Sequence, residues 1–382
     1  MSIFRKTLSC AVLAALSTCA LAGCGRQDTS NEATTSASPE TSAAITETVS
    51  ESTAASEPTP TPDAPGTLST QPADVTSTPF GQHGALHVEN GKLTDADGNI
   101  VQLYGMSTHG IAWFPQYINY DSFRTLRDDW NTNCIRLAMY TAEYGGYCAG
   151  GDKEQLKQLV RDGVSYATEL GMYVIVDWHI LSDCDPNQNK DEAIAFFREM
   201  SETFADNDNV LYEICNEPNS GTSWDSIKSY AEEVIPVIRE QKPDAVILVG
   251  TPTWSQEIDK AAASPLTFDN VMYTLHFYAG THKDDLRNRL ETCAQNNLPV
   301  FVSEFGMCDA SGNGANDFDS TTKWLDLLNK YQISFCCWNL ANKDESSSVF
   351  KAASTTLSDW TDEDFNESGR WIREYFRSMP RN

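Results

Sequence analysis

The sequence is poor in basic residues: it has 27 lysines and arginines against 54 aspartates and glutamates, for a formal net charge of −27. Proteins that bind nucleic acid neutralise its phosphates with a basic face or stripe, which so acidic a chain lacks. A neutral polysaccharide imposes no such requirement. The charge therefore argues against nucleic acid as a partner and is compatible with an uncharged polymer as the ligand.

A long apolar run is also missing at the N-terminus. The mostly apolar stretch at residues 8–23 is shorter than the about 20 residues that a membrane-spanning helix needs, and it follows two basic residues, as in an export signal. Residues 20–22 fit the small-x-small cleavage pattern that would release a secreted protein. Residues 21–24 instead resemble the bacterial lipobox. We expect residues 1–23 to be a lipoprotein-type signal peptide and Cys24 to carry a lipid that anchors the exported protein to the membrane.

Metal-binding and phosphate-binding motifs are absent from the sequence. It has no Cys-x-x-Cys pair, and the Gly312–Gly314 cluster lacks the lysine and the strand-to-helix context of a phosphate loop, so we expect neither a metal nor a cofactor. An exported protein permits disulfides, but several cysteines lie in apolar runs where a thiol packs as a small core residue, so the pairing stays open. The eight cysteines beyond Cys24 are Cys134, Cys148, Cys184, Cys215, Cys293, Cys308, Cys336 and Cys337.

Residues 25–79 contain neither an aromatic residue nor a cysteine and are rich in Ser, Thr, Ala, Pro and Glu. Such a segment cannot bury enough apolar surface to offset its ordering entropy. We interpret residues 24–80 as a disordered stalk, with a folded domain over residues 81–382. That domain opens with a predicted hairpin around the turn at Glu89–Gly91.

Beyond the hairpin, eight short apolar runs alternate with helical stretches such as Lys153–Leu170 and Trp224–Gln241. Near-continuous apolar runs are typical of parallel strands that are covered on both faces, and eight of them in βα alternation predict an α/β fold, a (β/α)8 TIM barrel. A doubly wound open sheet is the alternative. The predicted strands are Val101–Met106, Asn133–Met139, Met172–His179, Val210–Asn216, Val246–Gly250, Val271–Tyr278, Val300–Phe305 and Ser334–Asn339.

Polar and aromatic residues collect near the C-terminal ends of these strands, which form the catalytic face of a barrel. One such residue alone is more often a cap or a structural hydrogen-bonding group, but seven strands sharing the feature favour a site. The residues that carry this pattern are His109, Arg136, Asp177, His179, Asn216, Glu217, His276, Tyr278, Glu304, Trp338 and Asn339.

Two of these residues, Glu217 and Glu304, are carboxylates on strands 4 and 7, on opposite walls of the predicted barrel. Hydrolysis of a glycosidic bond needs one carboxyl group that protonates the leaving oxygen and a second that attacks the anomeric carbon or activates water. Arg136 and Tyr278 are expected to keep Glu304 ionised, and the Asn216 amide to hold a sugar hydroxyl. We also expect substrate contacts by Arg136, His179, Asn216, His276 and Tyr278.

The motifs around these residues, which include Asn216-Glu217-Pro218 and Ser303-Glu304-Phe305-Gly306, occur in an order and spacing that resemble glycoside hydrolase family 5. The resemblance implies Glu217 as acid/base and Glu304 as nucleophile of a retaining enzyme. The segments 105–114 and 338–346 further resemble the bacterial endo-β-1,4-glucanase subfamily, although Asn342 stands where many relatives have aspartate. That subfamily implies glycone contacts by His109, Trp113, Tyr140, Trp338, Lys343 and Glu345, and an aglycone contact by Trp254.

Other functions stay open at this stage. A metal-dependent hydrolase would use His109, His179 and His276, although the sequence lacks the usual His-x-His or His-Glu-x-x-His spacing. A non-catalytic carbohydrate-binding surface protein would retain the cleft without turnover. Within the enzyme class, mannan, xyloglucan or mixed-linkage glucan could replace cellulose. We expect a monomer that acts on a β-glucan.

Overall fold

The computed structural model describes residues 76–380 of the chain. The predicted signal peptide, Cys24 and nearly all of the predicted stalk lie outside the described residues. The first element is a short helix, α1 (Pro79–His83), and Phe80 within it is buried with its ring 5.7 Å from that of Tyr173. Packing therefore begins a few residues before the boundary that the composition suggested.

The predicted hairpin is present as β1 (His87–Glu89) and β2 (Lys92–Thr94), which pair antiparallel. Gly91 in its turn has φ +78°, and a Cβ there would come within 2.5 Å of the Asn297 carbonyl oxygen, so only glycine fits. The Val88 amide donates to Asn270 Oδ1 at 2.8 Å. Because Asn270 and Asn297 precede barrel strands, the hairpin covers the N-terminal end of the barrel.

Eight parallel strands close into a barrel in the order β10-β3-β4-β5-β6-β7-β8-β9, which confirms the predicted TIM barrel. The open-sheet alternative is wrong because β10 pairs with both β3 and β9. The strands are β3 (Tyr104–Thr108), β4 (Cys134–Tyr140), β5 (Tyr173–His179), β6 (Val210–Glu213), β7 (Ile247–Val249), β8 (Val271–Tyr278), β9 (Val300–Gly306) and β10 (Phe335–Leu340).

Helices between the strands cover the outside of the barrel, and α3 illustrates why they form. The Asp152 side chain caps its N-terminus by accepting hydrogen bonds from two backbone amides, and Leu156, Val160 and Val164 recur at four-residue spacing on its buried face. The helices after α1 are α2 (Tyr120–Asp128), α3 (Lys153–Glu169), α4 (Lys190–Thr203), α5 (Trp224–Arg239), α6 (Pro252–Ser255), α7 (Ile258–Ala263), α8 (Asp284–Gln295), α9 (Phe318–Lys330) and α10 (Glu367–Ser378). None of the helices between residues 76 and 380 has the length and apolar character of a membrane span.

A separate apolar cluster fills the N-terminal end of the barrel, beneath the hairpin. It leaves the opposite end, where the strands finish, as the open face. The cluster includes Phe80, Leu86, Leu93, Val101, Leu103, Tyr173, Leu211, Leu248 and Phe301.

All eight cysteines of residues 76–380 are free thiols.

Candidate active site

A cavity of about 680 Å³ opens at the C-terminal ends of the barrel strands. Twelve of the fourteen residues that the sequence predicted to be catalytic or substrate-binding line it. These twelve are His109, Trp113, Tyr140, His179, Glu217, Trp254, His276, Tyr278, Glu304, Trp338, Lys343 and Glu345. Sequence reasoning did not single out Glu143, Leu181, Gln256, His282, Ala310, Ser311 and Gly312, which line it as well.

The two predicted glutamates face each other across this cavity. Glu217 lies just beyond β6 and Glu304 lies within β9, and both side chains are largely buried. One carboxylate oxygen of each and a ring nitrogen of His276 all lie within 4.8 Å of one another. The nearest oxygens of the two carboxylates are therefore closer than the about 6.5–9.5 Å that separates the carboxyl groups of inverting glycosidases, where a water lies between them.

Glu304 is held by donors on both carboxylate oxygens. Arg136 Nη1 donates to Oε2 at 3.1 Å, and the Tyr278 hydroxyl donates to Oε1 at 2.8 Å. Burial alone would raise the pKa of Glu304, but the positive charges of His276 and Arg136, together with the Tyr278 hydrogen bond, outweigh burial and lower the pKa. The carboxylate form is favoured at this position.

Glu217 has a different environment, in which His276 Nδ1 lies 2.9 Å from Oε1. Burial raises the pKa of Glu217, and the nearby negative charge of Glu304 raises it further. The hydrogen bond from His276 opposes both effects without cancelling them. The protonated acid is therefore favoured at Glu217, and the two carboxyl groups are tuned in opposite directions.

A third glutamate, Glu213, lies beneath the pair and was not identified from the sequence. It is fully buried at the end of β6, where Oε2 accepts from Arg136 Nε and Oε1 accepts from the Ser303 hydroxyl, each at 2.7 Å. Burial would raise its pKa, but Arg136 and His276 lower it to about 2. An acidic residue inside an apolar strand needs a buried cation, and Arg136 was the only arginine in the predicted strands, so the pairing could have been inferred.

His276 connects this buried layer to the cavity. Nδ1 faces Glu217, while Nε2 lies 2.9 Å from the Ser303 hydroxyl and 3.8 Å from Glu213 Oε1. Burial would lower the pKa of His276, but the nearby carboxylate of Glu213 and the hydrogen bond to Glu217 raise it to about 9. The ring therefore carries a positive charge at neutral pH.

Arg136 and Asn216, which the sequence assigned to substrate contact, do not line the cavity. Arg136 is fully buried, and its Nη2 lies 3.0 Å from Asp177 and donates to Asn216 Oδ1 at 2.6 Å. The Asn216 amide nitrogen is directed at His179 Nε2 (3.2 Å) and at the Ile180 carbonyl (3.1 Å). Both side chains lie beneath the cavity, where their hydrogen bonds orient the residues that line it.

One wall of the cavity is aromatic. The Trp113 ring lies 4.7 Å from the Tyr140 ring, and the His109 ring lies 5.0 Å from Trp338 and 5.7 Å from Trp113. Flat faces of this kind stack on the apolar faces of pyranose rings. Burial, followed by the charge of Lys343, lowers the pKa of His109 to about 3, so its ring is neutral.

Charged groups from the loop after β10 lie beside this wall. Lys343 Nζ pairs with Glu345 Oε2 at 2.6 Å and lies 3.4 Å from His109 Nε2. The other Glu345 oxygen accepts from Asn339 Nδ2 at 3.1 Å. Lys343 keeps about half of its side chain exposed and Glu345 very little, so the pair presents a fixed carboxylate and an accessible ammonium group.

Trp254 lies across the cavity, after β7, which stands opposite β3 in the barrel order. Its side chain is 44% exposed, an unusual state for tryptophan. Thr253, Trp254 and Ser255 have consecutive φ values of 58°, 53° and 53°, a left-handed conformation that costs non-glycine residues about 1–2 kcal/mol each. Strain of this kind persists where the surrounding structure and a function require it.

The comparisons with known proteins agree with this geometry. A family profile described as cellulase (glycosyl hydrolase family 5) matches residues 94–344. Endoglucanase A of Butyrivibrio fibrisolvens is 51% identical over 293 residues, which is 76% of this chain and 68% of that protein. An endoglucanase of Clostridium saccharobutylicum is 46% identical over 308 residues, 80% of this chain and 67% of that protein.

The chain belongs to glycosyl hydrolase family 5. A solved relative in this family is the catalytic domain of a Thermobifida fusca endoglucanase in complex with cellotetraose. It matches with a TM-score of 0.75 and 42% identity, covering 79% of this chain and 100% of that chain. The family-5 chain thus spans an entire solved catalytic domain and about two thirds of the length of the Butyrivibrio and Clostridium relatives.

The histidines of this family-5 chain do not gather into the metal site of the alternative hypothesis. Within residues 76–380, the one group of three ligand side chains close enough to share an ion is Glu217, His276 and Glu304. His109 and His179 lie outside that group, and His179 Nδ1 is 2.6 Å from Asp177. The group consists of the two predicted catalytic carboxylates and the cation between them.

Proposed function

We propose that this chain is a retaining endo-β-1,4-glucanase that hydrolyses internal β-1,4-glucosidic bonds of cellulose or a related β-glucan. The observation that carries the proposal is the pair Glu217 and Glu304, within 4.8 Å of each other and with pKa values shifted in opposite directions. Retaining glycosidases require this closeness, because one carboxylate attacks the anomeric carbon directly.

In the proposed mechanism Glu304 is the nucleophile. Its carboxylate attacks the anomeric carbon and forms a covalent glycosyl-enzyme intermediate, while Glu217 donates its proton to the departing glycosidic oxygen. Glu217, now ionised, then removes a proton from a water molecule that displaces Glu304. Arg136 and Tyr278 hold Glu304 for attack, and His276 balances the charge as Glu217 loses and regains its proton.

Two aromatic regions on either side of this pair support binding of an extended glucan. We assign the glycone side to His109, Trp113, Tyr140 and Trp338, with Lys343 and Glu345 gripping equatorial hydroxyls through charge-assisted hydrogen bonds. Trp254, on the opposite wall, forms a platform for the aglycone. We assign His179, His276 and Tyr278, which line the cavity, to substrate contact as well. The buried Arg136 and Asn216 orient the groups that touch the sugar.

Cellulose is the proposed main substrate because the relatives are named endoglucanases and one was solved with cellotetraose bound. The same pair would also serve a β-mannanase, a xyloglucanase or a mixed-linkage glucanase. A non-catalytic carbohydrate-binding protein is disfavoured because both glutamates are present with opposed pKa shifts. No cofactor takes part in the proposed reaction.

Release of reducing ends from a panel of purified β-glycans by the folded domain tests this proposal. We expect carboxymethyl cellulose and mixed-linkage glucan to be cut in the interior, with a fast fall in viscosity. Loss of activity after dialysis against a chelator would favour the metal-dependent alternative. Absence of turnover on every glycan, with binding retained, would favour the non-catalytic one.

For location, we propose that the protein is exported and held at the outer face of the membrane by a lipid on Cys24. The proposal is supported by the lipobox-like sequence that ends at Cys24 and by the Ser-, Thr- and Pro-rich stalk that follows it. Free secretion after cleavage of the signal is the alternative. We further propose that the catalytic domain acts as a monomer.

A further inference from the structure

The loop after β4, residues 141–151, carries a fully exposed aromatic residue at the rim of the cavity. Tyr144 is 93% exposed, the most exposed of the large hydrophobic side chains of residues 76–380. The loop is held by its own backbone: the Gly146 amide donates to the Glu143 carbonyl at 2.7 Å, and other amides close the same turn. The Tyr144 ring is therefore presented to solvent by an ordered turn.

This turn is joined directly to the aromatic wall of the cavity. The Trp113 indole nitrogen donates to the Tyr144 carbonyl oxygen at 2.9 Å, and Trp113 lines the cavity. Glu143 lines the cavity too. Its Oε1 accepts from the Ser182 amide at 2.8 Å, whereas its Oε2 is buried and accepts no hydrogen bond from the described residues.

We propose that Tyr144 and Glu143 form an additional glycone subsite, beyond Trp113, for a further glucosyl residue of a β-1,4-glucan chain. The Tyr144 ring stacks on the apolar face of that sugar, and the Glu143 carboxylate, after a small rotation, accepts a hydrogen bond from one of its hydroxyls. The subsite rests on the proposed function, because it extends the same cleft along the same polymer.

The charge and position of Tyr144 and Glu143 favour a neutral glucosyl residue as the ligand of this subsite. Single exposed aromatic residues are common on protein surfaces, so exposure of Tyr144 alone decides nothing. Its hydrogen bond to Trp113 and the unsatisfied oxygen of Glu143 place a stacking face and an acceptor next to each other beside the cavity. An uncharged, hydroxyl-rich chain satisfies both groups, whereas an anionic ligand would be repelled by Glu143.

Hydrolysis of a cello-oligosaccharide series tests the subsite. Tyr144→Ala should lower kcat/KM on cellohexaose by about two- to tenfold, the effect of losing one aromatic contact, and leave cellotriose unchanged because it does not reach the subsite. Tyr144→Phe, which keeps the stacking face, should behave as the wild type. Ile100→Ala, which removes another exposed apolar side chain at the opposite end of the barrel, is the matched control.

The position of cleavage supplies a second readout. With cellopentaose labelled at its reducing end, Tyr144→Ala and Glu143→Gln should shift cleavage towards longer labelled products, because fewer sugars are held on the glycone side. Wild-type rates and products in Tyr144→Ala, or an equal loss on cellotriose and cellohexaose, would overturn the subsite and leave the proposed function intact. A wild-type protein that cleaves no member of the series would overturn the proposed function, and the subsite with it.

Discussion

At the scale of single residues, His276 acts on both carboxyl groups of the site. Its positive charge lowers the pKa of Glu304 and opposes the raised pKa of Glu217, while burial pushes both pKa values upward. The negative charge of Glu304 also raises the pKa of Glu217. Arg136 and Tyr278 add to the difference between the two glutamates, because both contact Glu304 and neither contacts Glu217. The division of roles depends on where these donors point.

Replacing His276 by glutamine should move both limbs of the pH–activity profile to higher pH. The acidic limb reports ionisation of Glu304, whose pKa rises when the nearby cation is lost. The alkaline limb reports loss of the proton from Glu217, whose pKa rises for the same reason. The profile of kcat/KM on a soluble glucan measures both limbs, and limbs that move towards each other or to lower pH would contradict this electrostatic account.

Lys343→Ala should lower kcat/KM by about 10- to 100-fold, because a hydrogen bond from a charged group to a sugar hydroxyl is worth about 1.5–3 kcal/mol. Both a higher KM and a lower kcat are expected if the contact strengthens in the transition state. The pH profile should stay in place, since Lys343 contacts His109 and Glu345 and neither Glu217 nor Glu304. A lost acidic limb would mean that Lys343 tunes a catalytic carboxylate.

Sequence reasoning predicted the residues that face the cavity better than those beneath it. Glu304 with its partners Arg136 and Tyr278 followed from motif and barrel order. Glu213 was missed because it lies inside an apolar run, where no motif marks it. The Asn216 amide was expected to bind sugar, but its orientation depends on His179 from the neighbouring strand, a tertiary contact that no local pattern encodes.

At the scale of elements, the left-handed turn after β7 (Pro252–Ser255) is hydrogen-bonded to the segments after β6 and β7 and to β8 itself. The buried Ser255 hydroxyl donates to the Asn216 carbonyl at 2.7 Å and lies 3.1 Å from Thr274 Oγ1 and 3.2 Å from the Thr251 amide. The Trp254 amide adds a hydrogen bond to the Pro218 carbonyl at 3.0 Å. The strained turn that presents Trp254 thus also fixes the peptide segment that carries Glu217.

Ser255→Ala should therefore lower both stability and kcat. Loss of a buried donor leaves the Asn216 carbonyl unsatisfied, at a cost of about 1–3 kcal/mol in the free energy of unfolding. Ser334→Ala is the matched control, since it removes a buried hydroxyl that accepts from the Leu103 amide at the other end of the barrel. Denaturant unfolding and kcat should separate the two variants: similar stability loss in both, but slower turnover only in Ser255→Ala. Equal kcat values would contradict the coupling.

The strand and helix order followed from the sequence, while some element ends did not. The first barrel strand was predicted at Val101–Met106 and is Tyr104–Thr108. Val101 and Leu103 are buried, but in the cluster under the hairpin, so an apolar run alone could not show where the ladder begins. The left-handed φ angles of Thr253, Trp254 and Ser255 could not be predicted from local residue preferences either, because the surrounding hydrogen bonds impose them.

At the scale of the whole molecule, the described chain starts at the end of the barrel that is opposite the cavity. The Phe80 amide donates to the Gly171 carbonyl at 2.9 Å, and Gly171 directly precedes the N-terminal end of β5. This position is compatible with the proposed anchoring, in which a membrane-held enzyme acts on an external polymer.

Cys24→Ala should move the full-length protein from the membrane fraction to the soluble fraction, because it removes the proposed attachment point of the lipid. Cys19→Ala, a cysteine change within the same signal segment, should leave the protein in the membrane fraction. Fractionation of cells expressing each variant, followed by activity assay, measures the distribution. A Cys24→Ala protein that remains with the membranes would exclude the lipid anchor and leave the catalytic proposal untouched.

The proposed retaining mechanism depends on the separate roles of Glu217 and Glu304, and azide rescue of the two alanine variants tests these roles most directly. With an activated aryl β-cellobioside, Glu217→Ala should still form the glycosyl-enzyme and then stall, because the good leaving group needs no acid but water needs a base. Added azide should restore its turnover and yield a β-glycosyl azide, whereas Glu304→Ala should stay inactive without an added nucleophile. An α-glycosyl azide from Glu217→Ala, or a β-glycosyl azide from Glu304→Ala, would contradict the assignment.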